Sequence, residues 1–424
     1  MKLSKYIIGL LVIIFTSTNV FAEDVVIEML NKLGKESMVY SKKIVRVDIG
    51  QKVVWKATTK GHNVEFIKGG VPEGVDKFKS KFIHHIFRLK TFIFIGNLEE
   101  IAMHVGLIQV MQSWGYEGMS DAEVYEQELR SALAADEQGY DSVWVVEHHF
   151  EDYSFCPDNF VYLAHLAGRT KNIKLATGAC IVPWNIQPLR VAEKAALLDQ
   201  LSGGRLILGL GRGLSRKEFD QFGINMDESR ERFDEAAPMI LDALEKGVME
   251  SHEGKFFKQP NAVIRPKPTR TFKDRVTQVA MSPESGEEAA KLGAQMMAFN
   301  YKPMEVQKQE YEQYRQSYIK HHSAEPRPLL LTDMCICDND SARAKENSKY
   351  IANYLLSVLH HYDLMGDHYK EAKGYEAYGD AVDALRETGK EGMMQAYVEG
   401  QIWGTPDEML KKFELRRKEM GRTD

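Results

Sequence analysis

Cysteine is scarce in this chain: the 424-residue sequence holds four, at Cys156, Cys180, Cys335 and Cys337, and none earlier. Cys335 and Cys337 are one residue apart, which places them on one face if they lie on a strand. No second pair of cysteines or histidines stands at zinc spacing, so these thiols read as free and buried. A cationic surplus is also missing. The 55 Lys and Arg against 61 Asp and Glu leave a formal charge of −6, and without clustered cations nothing marks a nucleic-acid surface. HExxH does not occur, so the adjacent pair His148–His149 is not a helical zinc pair. On a strand such neighbours point to opposite faces and cannot share one metal, so no metal site is expected. Gly209–Gly213, GLGRG, is spaced G-x-G-x-G, and no acidic residue follows where a dinucleotide site needs one.

What is present divides unevenly. With 44% hydrophobic and 27% charged residues, the chain has room for a large core and more than one domain. The N-terminus carries Lys2 and Lys5, an apolar run from Tyr6 to Phe15, then Val20-Phe21-Ala22. That layout predicts a signal peptide over 1–22, with no membrane association after cleavage, because the run is too short to span a bilayer.

Residues 23–82 read as β: VVIEML, IVRVDIG and KVVWKAT are short runs rich in valine and isoleucine, broken by glycine and lysine. DVVIEMLNKLG and VDIGQKVVWKATTKGHNVEFIKGGVPEG resemble the first half of a pseudoazurin, a blue-copper protein of the cupredoxin family. The resemblance makes His62 of GHNVEF a copper ligand. It also requires a Cys, a second His and a Met, and no cysteine follows until Cys156. Because those ligands set a blue-copper centre jointly, copper binding and copper electron transfer are not expected. Residues 83–102 fit neither neighbour and lack linker composition. The chain reads as a truncated cupredoxin joined to an enzyme at Met103, either a genuine fusion or an artefact of gene prediction.

From Met103 onward, apolar runs alternate with amphipathic stretches. HVGLIQV precedes a helix over 121–138 with Gly139 as its stop, and SVWVV, IKLATG, RLILGLG, RVTQVAM, QMMAFN and PLLLTDMCICD each precede another. Seven strands with intervening helices predict an α/β, (β/α)8 TIM-barrel-like fold over 103–424. GTPDEMLKKFELRRKEMG reads as a helix opened by a Thr405–Glu408 capping box with Pro406 first. The eighth strand and its helix are expected to be missing.

Barrel sites collect at the C-terminal strand ends. Those ends lead into Glu147-His148-His149, Thr177-Gly178-Ala179, Gly209–Gly213 and Ser282-Pro283-Glu284-Ser285. Gly211 and Gly213 permit close backbone approach, Arg212 offers a fixed cationic fork, and Ser285 lies at a helix start. Together they suit an anionic ligand such as a phosphate. Alternatives stay open: GLGRG as a plain turn, Arg212 as a surface ion pair, Ser282 and Glu284 as helix caps.

EHHF, the run IVPWNIQPLRVAEKAALLDQLSGGRLILGLGRG, SRERF and SPES, taken together and in this order, resemble the bacterial luciferase-like flavin monooxygenases. The resemblance implies a (β/α)8 barrel that uses reduced FMN, delivered by a separate flavin reductase, and O2 to oxygenate a small organic substrate. It makes His148 the catalytic residue, lays Thr177, Gly178 and Ala179 (with a non-prolyl cis peptide) against the flavin, and puts Arg212, Glu284 and Ser285 at its phosphate. Imidazole suits such acid–base work near neutral pH. Gly211 replaces the reactive cysteine of true luciferases, and Glu288 replaces a small hydroxyl residue near the phosphate. A deazaflavin-dependent oxidoreductase shares the fold and stays open, as do homo- and heterodimers. Compartment is divided: the signal-like N-terminus points to the periplasm, the flavin chemistry to the cytoplasm.

Overall fold

The computed structural model describes residues 25–33, 36–40, 53–57, 104–113, 118–376, 378 and 389–421. The chain divides into two compact units, Met1–Ala102 and Met103–Asp424. In the first, Val25–Leu33 is the middle of a three-stranded sheet, antiparallel to Glu36–Tyr40 and parallel to Val53–Ala57. The expected signal segment, His62 and the stretch 83–102 lie outside the described residues. Among the described residues no helix is long and apolar enough to cross a membrane.

In the second unit, seven parallel strands follow one another in sequence order: β1 (Gly106–Gln109), β2 (Ser142–Val145), β3 (Lys174–Thr177), β4 (Leu206–Gly211), β5 (Val276–Val279), β6 (Gln295–Phe299) and β7 (Leu330–Thr332). Their runs are apolar almost throughout; every residue of SVWV and of LILGLG is buried. A parallel strand covered on both faces requires that pattern. One face turns into the barrel, where Trp144, Ala176, Ile207 and Met297 meet Ile108, Val279, Phe299 and Leu330. The other face carries Val143, Val145, Leu175, Leu206, Leu208 and Leu210 into a core shared with the surrounding helices.

Gly139 ends the helix Asp121–Gln138 at φ 81°, as expected, and Ser120 and Glu123 cap its start reciprocally. Thr405 and Glu408 form the expected capping box for Pro406–Met420.

The (β/α)8 class holds, with seven parallel strands that nearly close the barrel. Ile402–Gly404 pairs in parallel with Cys335–Cys337 in a separate two-stranded sheet, and the expected helix Pro406–Met420 follows it. Three residues wedged between two helices show no alternation to read, so this short strand is invisible in sequence. Among the described residues no eighth strand joins the barrel ladder at β7 or at β1. Cys156 and Cys180 are buried, whereas Cys335 and Cys337 are exposed, a correction to the reading of that pair as buried. They share one face of a three-residue strand whose middle residue, Ile336, is half-buried.

At the start of β5, Arg275 is 2% exposed and Asp199 fully buried, 2.5 Å apart. Arg275 also donates to the carbonyls of Leu206 and Arg270. This closes the N-terminal face of the barrel, where burial stabilises rather than catalyses.

Candidate active site

At the opposite face the strand ends surround a cavity of about 1100 Å³. Its wall includes His148 after β2, Gly178 and Ala179 after β3, Gly211 and Arg212 at the end of β4, and Ser285 after β5. The Gly178–Ala179 peptide is cis. Beyond it the chain pairs again with β4, Ile181 opposite Gly211. Thr177 does not reach the cavity. Its hydroxyl donates to the Gly209 carbonyl and accepts from the Gly209 amide, both at 2.8 Å. A Cβ on Gly209 would stand 1.9 Å from the Thr177 carbonyl oxygen, so only glycine permits this strand contact.

One end of the cavity is cationic. Arg212 donates through Nη2 to the Gly374 carbonyl at 2.8 Å and packs its guanidinium 4.1 Å from the Tyr375 ring centre. Its Nη1 is buried and has no hydrogen-bond partner. Arg230, from SRERF, pairs with Glu288 on the helix Pro283–Leu292. Burial first, and the nearby Arg212 charge second, pull the Arg230 pKa down. Ser282 caps that helix: its hydroxyl accepts the Ser285 amide at 3.3 Å and lies 3.1 Å from the Ser285 hydroxyl. Glu284 sits in the first turn, off the cavity wall, and acts on Arg230 through charge.

The other end is built for proton handling. His148 Nδ1 lies 3.1 Å from Glu218 Oε1, and its Nε2 lies 3.1 Å from the Tyr362 hydroxyl. Glu218 also accepts the His149 amide at 2.8 Å. Burial works against the Glu218 charge, yet His148, His361 and that amide outweigh it and hold the carboxyl below its ordinary range. Burial first, then the Glu218 charge, hold the Tyr362 phenol well above its ordinary range, so it remains a donor. His361 stacks on Tyr153 at 4.5 Å and is pushed down to about 4, by burial and then by the His148 charge.

His149 turns away from the cavity and packs edge-on to Phe222 and Trp184. Its neighbour Glu147 accepts from Trp184 Nε1 at 2.7 Å and from the Ile181 amide at 3.1 Å, fixing the loop after β2. The two histidines therefore do not share a metal. Instead His148, Glu218 and His361 bring three possible ligand atoms within 4.8 Å of one another.

The sequence reading missed Glu218, His361, Tyr362 and Arg230. Arg230 had a signal, since SRERF belongs to the run that carried the resemblance. Glu218 and Tyr362 had none: they lie 70 and 214 residues from His148 and meet it only through folding.

Residues 103–424 match the family model of luciferase-like monooxygenases, and residues 27–96 match that of copper binding proteins of the plastocyanin/azurin family. The second match runs past Phe82, where the cupredoxin-like pattern was expected to stop, into the supposed junction. The alkanal monooxygenase alpha chain of Photobacterium leiognathi is 28% identical over 61% of this chain and 73% of its own length. The oxygenase component of flavin-dependent trigonelline monooxygenase from Acinetobacter baylyi is 28% identical over 57% of this chain. Only 65% of that relative, just under two thirds, is spanned. The monooxygenase RslO1 from Streptomyces bottropensis shares the fold at a TM-score of 0.61 and 27% identity, covering 76% of this chain and 91% of that one. Through residues 103–424, which close into a nearly complete barrel with these strand ends, the chain belongs to the luciferase-like monooxygenase family.

Proposed function

We propose that this chain is the oxygenase of a two-component system, using FMN reduced by a separate reductase, and O2, to oxygenate a small organic substrate. The observation that carries this reading is one cavity lined by Arg212, with the Arg230 charge close behind it, and by His148. The unpartnered, buried Nη1 of Arg212 fits the phosphate of such a cofactor, because a buried guanidinium N–H is costly without an acceptor. Arg230 and the Ser285 hydroxyl would share in holding it. When bound there, reduced flavin supplies the electrons that activate O2.

The chain's own residues do the remaining work. Glu218 holds the His148 ring through Nδ1, which leaves Nε2 to take or return a proton through the Tyr362 hydroxyl. Trp184, Phe299, Tyr301 and Tyr354 supply apolar wall that excludes water and accepts an organic substrate of modest size. Gly178 and Ala179 line the cavity without a bulky side chain, which leaves room for a ring beside them.

The test is a titration of the purified protein with FMN and with a deazaflavin, followed by turnover with reduced FMN and air. FMN binding and oxygen-dependent product formation support the reading. Binding of the deazaflavin alone, with hydride transfer and no O2 requirement, replaces it with the oxidoreductase alternative.

A further inference from the structure

The side chains around His148 hold more polar capacity than a proton relay uses. His361 is fully buried, its Nδ1 2.7 Å from Glu151 Oε2. Its Nε2 has no hydrogen-bond partner and lies 3.7 Å from Glu218 Oε1. Glu218, whose side chain is 1% exposed, leaves Oε2 without a partner as well. Buried polar atoms are nearly always satisfied, so two unsatisfied ones on adjoining side chains ask for a missing atom.

The donor set names its class. Two imidazoles and one carboxylate are the ligands of zinc and of related divalent transition metals. Bonds of about 2.1 Å in tetrahedral geometry place ligand atoms about 3.4 Å apart. The separations at Glu218 Oε1, 3.1 Å to His148 Nδ1 and 3.7 Å to His361 Nε2, fall on either side of that. The surroundings fit too. A metal-bound imidazole donates its second N–H to a carboxylate or similar acceptor. Glu151 takes that place for His361, and the Tyr362 hydroxyl takes it for His148. His148 and Glu218 both line the cavity, which gives the ion an entry path and a free coordination position.

We propose that His148, Glu218 and His361 form a binding site for a divalent transition-metal ion, held through His148 Nδ1, a Glu218 oxygen and His361 Nε2. Binding through Nδ1 requires the His148 tautomer whose single proton sits on Nε2. A neutral ring moves its proton from Nδ1 to Nε2, an imidazolium releases the Nδ1 proton to solvent, and in both cases Nε2–H donates to the Tyr362 hydroxyl. The ion and the hydrogen bond from His148 Nδ1 to Glu218 are thus alternative occupants of one nitrogen, and with the ion bound Nε2 is no longer free to take a proton.

Zn2+ titration of the full chain, without flavin and against a chromophoric chelator, tests this. The expected result is one tight equivalent that is lost in His361→Gln, with any binding elsewhere on the chain unchanged. Glu151→Gln, which touches no ion, should weaken that equivalent roughly 10- to 100-fold. A wild-type chain with no such equivalent, or a His361→Gln chain that binds as the wild type does, overturns the proposal. Should His361→Gln lose its folded circular dichroism, Glu151→Gln decides, and unchanged affinity there overturns it equally. Flavin is absent throughout, so failure of the oxygenase reading leaves this result standing.

Discussion

Glu218 Oε1 lies 3.1 Å from His148 Nδ1 and accepts the His149 amide at 2.8 Å, so one buried carboxylate sets both the ring of His148 and the path of the backbone beside it. Removing the His148 imidazole should therefore remove chemistry and leave the cationic end of the cavity intact. His148→Ala is expected to lower kcat by roughly 10²- to 10⁴-fold, the usual share of general acid–base catalysis. FMN affinity should stay within a few-fold of the wild type. Steady-state turnover beside a flavin-fluorescence titration checks both, and unchanged turnover refutes the acid–base role.

Arg212 and Glu288 should act on flavin binding in opposite directions. Arg212→Met removes a buried guanidinium with an unpartnered N–H, and is expected to weaken FMN by about 1.5–3 kcal/mol, the range for charged hydrogen bonds. Riboflavin, which lacks the phosphate, should bind nearly as before. Glu288→Gln frees Arg230 from its ion pair and removes a like charge, so FMN should gain over riboflavin. Dissociation constants for the two flavins, compared in all three proteins, give the answer; equal losses for both flavins in Arg212→Met refute the phosphate assignment.

The pair Arg275–Asp199 stands apart from the cavity and should affect folding alone. Arg275→Met strands a fully buried carboxylate, and such broken pairs cost about 3–5 kcal/mol. Replacing both partners with apolar residues should cost less than replacing one. Urea denaturation of the single and double variants measures this, and an additive double variant contradicts it.

Asp136 carries an acid-sensitive contact. It accepts the amides of Lys171, Asn172 and Ile173 at the entry to β3. Burial opposes its charge, but those amides and Arg205 together hold its pKa below the ordinary 3.8. Since the folded value is the lower one, the stabilisation is complete above about 3.8 and disappears as pH falls through the folded value. Asp136→Asn should accordingly be less stable than the wild type at neutral pH, and the gap should close in strong acid. Paired thermal melts at the two pH values settle it; a gap that persists in acid means that the charge is not its source.

Local signals carried much of this protein. The apolar runs SVWV and LILGLG, the Thr405 cap and the stop at Gly139 all obey rules that act within a few residues, and the alternation of such runs with helices let the sequence alone determine the barrel class. It also marked His148, Gly178, Ala179, Arg212 and Ser285, because strand ends in such a barrel share one face. The tertiary structure alone decided the rest. Ile402–Gly404 is three residues long and becomes a strand only by pairing with Cys335–Cys337. Thr177 faces Gly209 rather than the cavity because strand pleat, not motif position, sets its direction. Glu218 and Tyr362 reach His148 across 70 and 214 residues, and no local pattern encodes a contact that closing the barrel creates.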